Sequence, residues 1–201
     1  MFKKGAMFGL DARIALAIFG ALSIISGAAL YSAIKQARST AILTEMREIA
    51  KGFEQYYLDT GQMPKLIKTV ACSLPCMYEV EELITNKYNV SGWKGPYIPY
   101  SVIDYLTLQN GVNRSTILQV TKDDTWGGTG NEYTSANCAN GKNCSLWVFY
   151  SGFTDASLLE SIDKDIDSAN GGDAGFFRYQ QSSAPWNYVA YLEFMPIKNP
   201  N

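Results

Sequence analysis

The sequence contains no histidine, the side chain that most often serves as general base, proton shuttle or metal ligand near neutral pH. It also lacks an excess of basic charge, because 17 lysine and arginine residues face 19 aspartate and glutamate residues. Nucleic-acid backbones attract basic surfaces, so DNA and RNA are not predicted partners. Glycine-rich phosphate loops and C-x-x-C redox pairs are missing as well. These absences argue against catalysis.

The four cysteines form two close pairs, Cys72 with Cys76 and Cys138 with Cys144. Four-cysteine zinc sites usually use pairs spaced like C-x2-C, and no histidine is available for a mixed site. Two short disulfides formed in an oxidising compartment are favoured, with a four-thiolate zinc site as the alternative.

No charged residue occurs from Ile14 to Ile34, a length sufficient to cross a bilayer as a helix. Lys3 and Lys4 precede this segment, and basic residues on that side predict a cytoplasmic N-terminus with everything after Lys35 translocated. Three interpretations compete: a cleaved secretory signal peptide, a simple anchor, and the first half of a longer helix.

Neither glycine nor proline occurs between Lys35 and Gly52, which favours the longer helix. Apolar residues continue there at spacings of four, three, four and three: Ile42, Met46, Ile49, Phe53 and Tyr56. Charged residues are predicted on the solvated side: Lys35, Arg38, Glu45, Arg47 and Lys51. Gly61 supplies a helix stop, so one helix is predicted from Met7 to about Asp59.

Beyond Pro64 the helical pattern gives way to short segments separated by turn residues. A second, short helix is predicted from Tyr78 to Tyr88. Strands are predicted in four segments rich in aromatic and β-branched residues: Thr116 to Thr121, Leu146 to Tyr150, Phe176 to Gln180 and Tyr188 to Phe194. The fold class is therefore α+β, a long helix packed on a small antiparallel sheet.

Several motifs resemble those of type IV pilins, and within them the major pseudopilin of type II secretion. If Gly20 is the family's helix glycine, Asp11 is the acidic fifth residue of the mature chain and Met7 is its first residue. The helix end YYLDTGQMP is similar to the family's signature. Gly92 to Ile98, GWKGPYI, resembles the W-x-G-P-Y segment, and Asp124 to Gly128, DTWGG, resembles the D-P-W-G-N turn. Trp93, Tyr97 and Trp126 are predicted to pin these turns to a core.

The resemblance implies three regions: a basic leader 1–6, a long helix 7–59 with its transmembrane part at about 14–34, and a periplasmic globular head 60–201. A prepilin peptidase would cut between Ala6 and Met7, although the family normally has Gly and Phe there. Asp11, normally Glu, would pair with the N-terminal amine of a neighbouring subunit during assembly. Its alternative role is a helix N-terminal acid favoured by the macrodipole.

The resemblance further implies self-assembly into a filament, a cytoplasmic ATPase and an inner-membrane platform, with the chain in the inner membrane before assembly. The chief alternative is a single-span periplasmic binding or enzymatic domain that does not polymerise.

Alternate aspartates in the C-terminal half precede a glycine-rich turn: Asp163, Asp165, Asp167 and Asp173. Such residues can converge oxygen ligands on Ca²⁺, and major pseudopilins carry a calcium site in their C-terminal loop. The spacing is not that of an EF-hand. The alternative is an exposed helix, Ala156 to Asp167, that ends in an acidic turn. No other cofactor is predicted.

Overall fold

One long helix opens the chain and a sheet follows it. The structure, a computed structural model, describes residues 5–67, 76–123, 125–128, 138, 141–182 and 187–197, without the side chains of residues 5–8. Its helices are α1 (Gly5–Thr60) and α2 (Ser157–Asp167), with a 3-10 turn at Val80–Leu83. The strands are β1 (Leu66–Ile67), β2 (Cys76–Tyr78), β3 (Ser101–Asp104), β4 (Thr107–Asn110), β5 (Asn113–Thr121), β6 (Cys144–Phe153), β7 (Phe177–Gln181) and β8 (Tyr188–Ile197). This element order confirms the α+β class.

The chain divides into two units, Met1–Arg38 and Ser39–Asn201. Within the first unit, α1 exposes nearly every described side chain, including large apolar ones such as Ile24 at 75% and Phe19 at 71%. A helix that is apolar all round is normally buried in a protein core or a membrane, because contact between water and its side chains is unfavourable.

In the second unit, the predicted apolar stripe of α1 is buried and forms one side of the hydrophobic core. Met46, Ile49, Phe53 and Tyr56 are all fully buried, and Ile42 packs against them while partly buried. Spacings of three and four residues place these side chains on one face of a helix. The amphipathic pattern is therefore confirmed.

The helix ends where the glycine stop was predicted. Gly61 has a φ of +69°, and its N–H donates to the carbonyl of Tyr57 at 2.8 Å. This left-handed residue satisfies one of the carbonyls left free in the last turn.

The strands form one antiparallel sheet in the order β1-β2-β5-β6-β8-β7. The β3–β4 hairpin joins it by pairing β4 with the first residues of β5. Since side chains alternate along a strand, the long strands β5, β6 and β8 supply two apolar faces. The α1 face includes Ile117, Val148 and Leu192, and the opposite face has a smaller cluster of Leu118, Val120, Trp126, Trp147, Val189 and Tyr191.

One local prediction needs correction. The segment predicted as a helix from Tyr78 to Tyr88 is instead the end of β2 and a single 3-10 turn. Tyr78 pairs with Leu66 of β1, and the carbonyl of Leu83 accepts the N–H of Tyr97, so it is not available to continue a helix. Tertiary pairing thus overrides a helical sequence pattern.

The β3–β4 hairpin was not predicted. Asp104 forms its turn by accepting the N–H of Leu106 at 2.8 Å, and the following turn into β5 uses Asn110-Gly111. An Asn-Gly pair is a strong short-range hairpin signal, so the sequence did carry this feature.

Gly92 and Gly111 give a matched test of backbone crowding. Both have positive φ, +82° and +62°, but a Cβ on Gly92 would overlap the carbonyl oxygen of Asp59, whereas Gly111 has open space. Gly111→Ala should cost about 1–2 kcal/mol for the left-handed backbone alone. Gly92→Ala should cost about 1–3 kcal/mol more, because the end of α1 must move. Urea unfolding of both variants, followed by tryptophan fluorescence in detergent, measures the difference, and equal losses would contradict the close approach.

Candidate functional site

The apolar surface of α1 before Arg38 is the largest candidate functional feature. Large exposed side chains cover it: Leu10, Ile14, Leu16, Ile18, Phe19, Leu22, Ile24, Ile25, Leu30, Tyr31 and Ile34. This helix is long and apolar enough to cross a membrane, the one such helix in the described part of the chain, although a signal sequence would pass the same test. A surface of this kind requires lipid or other apolar partners.

Asp11 and Arg13 interrupt that apolar surface. Both are exposed, and no ion pair joins them within the described residues. Residues two apart on a helix do not face each other, which explains why they do not pair. The predicted cleavage residues Ala6 and Met7 lie within α1, and their side chains fall outside the described part. Cleavage at this point stays a prediction.

The cysteines form disulfides where the structure describes them. Cys138 and Cys144 are bonded, with their Cα atoms 5.8 Å apart, so neither is a thiolate ligand for zinc. Cys76 is also disulfide-bonded, whereas Cys72 lies outside the described residues. Cys144 is the first residue of β6, so the Cys138–Cys144 bond ties the preceding segment to the sheet.

The four aspartates proposed for calcium do not form one ligand set. Asp163 is buried on the core side of α2, whereas Asp165 is exposed and shares a small cleft with Arg47 of α1. Residues two apart on a helix point about 200° apart, which separates these two carboxylates. Among the described residues, no group of three or more acidic, cysteine or histidine side chains is placed to hold a metal ion.

Asp167 and Asp163 instead organise the loop between α2 and β7. Asp167 accepts the N–H of Phe177 at 2.7 Å, and Asp163 accepts the N–H of Gly171 at 3.2 Å. The helix that carries them, Ser157–Asp167, has nearly the bounds predicted for the alternative, but it is not an exposed helix, because Leu159 and Ile162 are buried in the core. The calcium site has no support among the described residues and stays a prediction.

Burial gives Asp163 an unusual ionisation equilibrium. Only 2% of the residue is exposed, and its Oδ1 has no hydrogen-bond partner. Burial raises the pKa of the Asp163 carboxyl, the Gly171 N–H partly opposes this effect, and the nearby charges of Asp167 and Asp173 raise the pKa further. The folded chain therefore holds a proton on the Asp163 carboxyl more tightly than the unfolded chain does.

Acidic side chains of the core, which the sequence analysis did not place there, bind tyrosine hydroxyls. Glu45, predicted on the solvated side of α1, is instead only partly exposed and accepts the hydroxyl of Tyr150 on β6. Glu82, 3% exposed, accepts the hydroxyl of Tyr56 at 2.5 Å and the N–H of Lys65 at 2.9 Å. Burial and the neighbouring carboxylates raise the pKa of Tyr56 and Tyr150, so both remain hydrogen-bond donors.

Both predicted turn motifs are pinned to the core. Trp126 is fully buried, while Trp93 is partly buried and its Nε1 donates to the carbonyl of Glu82 at 2.9 Å. Arg178, 3% exposed, lies over the rings of Trp126 and Trp147 at 4.5 and 5.2 Å from their centroids. Its guanidinium also donates to the carbonyl of Trp126 at 3.4 Å. A cation packed against two aromatic rings stabilises this turn against β7.

Arg178 was not predicted to have a role, although strand alternation gives a signal for it. Its neighbour Phe177 is buried in the core on the α1 face, so Arg178 takes the opposite face, where the tryptophans lie.

Comparisons with protein-family models, with curated proteins and with solved structures find no match for this chain. The structure thus establishes an α+β protein with one long apolar N-terminal helix, an antiparallel sheet and a disulfide between Cys138 and Cys144.

The ionisation of Asp163 predicts a pH dependence of stability. Because its pKa is raised in the folded state, folding takes up a proton, so this residue makes the protein more stable as the pH falls through the folded pKa. The free energy of unfolding of the wild type, relative to Asp163→Asn, should therefore rise as the pH is lowered from neutral toward about 3.9, the usual pKa of an aspartate carboxyl. Urea titrations of both proteins at several pH values measure this difference.

The matched control is Asp165→Asn, which removes a carboxylate from the exposed side of the same helix. The same pH trend in both variants would contradict the burial of Asp163 as its cause.

Proposed function

We propose that this chain is a structural subunit of a type IV pilus or a type II secretion pseudopilus, with a type IV pilin-like fold. It is processed by a prepilin peptidase and assembles through its N-terminal helix, without catalytic activity of its own. Its partners are other pilin-like subunits, an assembly ATPase and inner-membrane platform proteins.

The observation that carries the proposal is that the two halves of α1 have different surfaces. Up to Arg38 its apolar side chains are exposed, and from Ser39 onward the same helix supplies the buried stripe Met46, Ile49, Phe53 and Tyr56. A plain membrane anchor needs only the first of these properties. A filament subunit needs both, because its helix must pack with other helices and also carry a head.

The position of Asp11 supports assembly over simple anchoring. An acidic side chain costs about 2.5–3.5 kcal/mol near the centre of a bilayer and less near its edge, so Asp11, just before the apolar run, is stabilised by a positively charged partner. Within the described residues Asp11 has no ion pair, and a free N-terminal amine of another subunit is a suitable partner.

The head supports the proposal through its order of elements and its turns. A long helix, a Trp93 turn beside it and an antiparallel sheet with a Trp126 turn follow the order of the motifs that resemble pseudopilins. The disulfide between Cys138 and Cys144 agrees with an oxidising compartment, and Lys3 and Lys4 favour a cytoplasmic N-terminus. The head would accordingly lie in the periplasm before assembly.

The N-terminal sequence and mass of the protein from host membranes should show a mature chain that starts at Met7. N-methylation of that residue would support the proposal further. An intact Met1 would instead indicate a plain anchor, and a start near Ile34 would indicate a removed signal peptide and a soluble protein.

The second test is a charge series at Asp11. Asp11→Asn preserves size but removes the charge, and filament yield should fall about tenfold or more, the loss expected if the pair contributes about 1.4 kcal/mol to assembly. Asp11→Glu, the matched control, retains the carboxylate and should assemble. Sheared filaments are quantified by ultracentrifugation and electron microscopy, after fractionation has shown equal membrane insertion. Equal yields of filaments from the two variants would exclude the proposed pairing.

A further inference from the structure

A cavity of about 340 Å³ lies on the head beside α2, β7 and β8. Five side chains give it its chemistry: Glu160 from α2, Asp173 from the following loop, Tyr179 and Gln181 from β7, and Tyr188 from β8. The volume is in the range of small-molecule sites. Neither the predicted calcium ligand set nor the α1 surface accounts for this combination of two carboxylates, two phenol rings and an amide.

The floor of the cavity is held by backbone hydrogen bonds. Gly128 donates its N–H to the carbonyl of Tyr179 at 2.7 Å, and Tyr179 donates its N–H to the carbonyl of Gly172 at 3.0 Å. A Cβ on Gly172 would overlap the carbonyl oxygen of Tyr179, so only glycine allows this approach. Two segments are thus fixed on the outer edge of β7, and the cavity is formed before any ligand binds.

The electrostatic character of the cavity is strongly negative. Within the described part of the chain, neither Glu160 nor Asp173 forms a side-chain hydrogen bond or an ion pair. The buried Asp163 is close enough to act on the same site, and one of its carboxylate oxygens has no hydrogen-bond partner. Burial and the charges of these three carboxylates raise the pKa of the Tyr179 hydroxyl.

We propose that this cavity binds an organic cation, an ammonium or guanidinium group carried on a short alkyl chain. Tyr179 and Tyr188 provide aromatic surfaces of the kind that attract such cations, and Glu160 and Asp173 neutralise the charge. The alkyl part would occupy the rest of the cavity.

Other ligand classes fit the cavity less well. An anion would be repelled by the carboxylates of Glu160 and Asp173, and a neutral ligand would gain nothing from their charges. Ca²⁺ takes six to eight oxygen ligands, and no metal-binding group of acidic residues exists among the described ones. An organic cation needs only diffuse negative charge and aromatic contact, which the cavity supplies.

Isothermal titration calorimetry of the full chain in detergent tests the proposal with three probes of defined chemistry. N-acetyl-lysine methylamide represents a protein side chain, tetramethylammonium represents a free small amine, and N-acetyl-norleucine methylamide is the neutral analogue of the first. We expect at least one cation to bind and the neutral analogue to bind about tenfold more weakly or not at all. Tighter binding of the lysine probe would assign a protein side chain as the ligand, and tighter binding of tetramethylammonium a free amine.

The double variant Glu160→Gln/Asp173→Asn should weaken cation binding about tenfold, and Tyr179→Leu should weaken it by about threefold or more. Asp165→Asn, on the opposite side of α2, is the matched control and should bind like the wild type. Near-ultraviolet circular dichroism verifies that the variants are folded.

The proposal is overturned if no cation binds up to about 10 mM. It is equally overturned if the neutral analogue binds as well as the lysine probe, if the double variant retains full affinity, or if only calcium binds. None of the residues involved lies on α1, so cation binding and filament assembly can succeed or fail separately.

Discussion

The head depends on one face of α1 packing against the antiparallel sheet. Fully burying each large apolar side chain of this face contributes about 1.5–3 kcal/mol, so the stripe from Met46 to Tyr56 is a major share of the stability of the head. Phe53 is central to it, with edge-on ring contacts to Tyr78 of β2 at 5.2 Å and Phe194 of β8 at 5.7 Å. Phe53 thus contacts strands that are distant in sequence. The order of the strands and the end of α1 at Gly61 are therefore both positioned by packing against this face.

Polar contacts then fix the position of the helix on the sheet. Apolar packing is not directional, whereas a buried hydrogen bond is satisfied at one geometry only. Tyr150 donates to Glu45 near the start of the buried stripe, and Tyr56 donates to Glu82 near its end. An unpaired carboxylate or phenol at either point would incur a desolvation cost, so sliding of the helix along the sheet is disfavoured.

The candidate sites show where sequence patterns are informative and where they are not. The apolar run of α1 and the cysteine pair at Cys138 and Cys144 could be identified directly, because each depends on residues close in sequence. The acidic segment after Leu158 was harder to interpret. In an extended chain, Asp163 and Asp165 would lie on the same face and could bind one ion. In the α2 helix their side chains point in different directions instead. The cavity beside β7 joins residues 128, 160 and 188, and no local pattern connects them.

The sequence by itself determined the fold class, the long helix with its apolar half and buried stripe, the four longest strands of the sheet and the turns at Trp93 and Trp126. Periodicity, glycine positions and aromatic content encode these features locally. Only the tertiary structure decided that Tyr78 extends a strand, that Glu45 and Arg178 point into the protein, and that Glu160, Asp173 and Tyr179 share a cavity. Each of these depends on partners far away in the chain, and residue spacing carries no information about such partners.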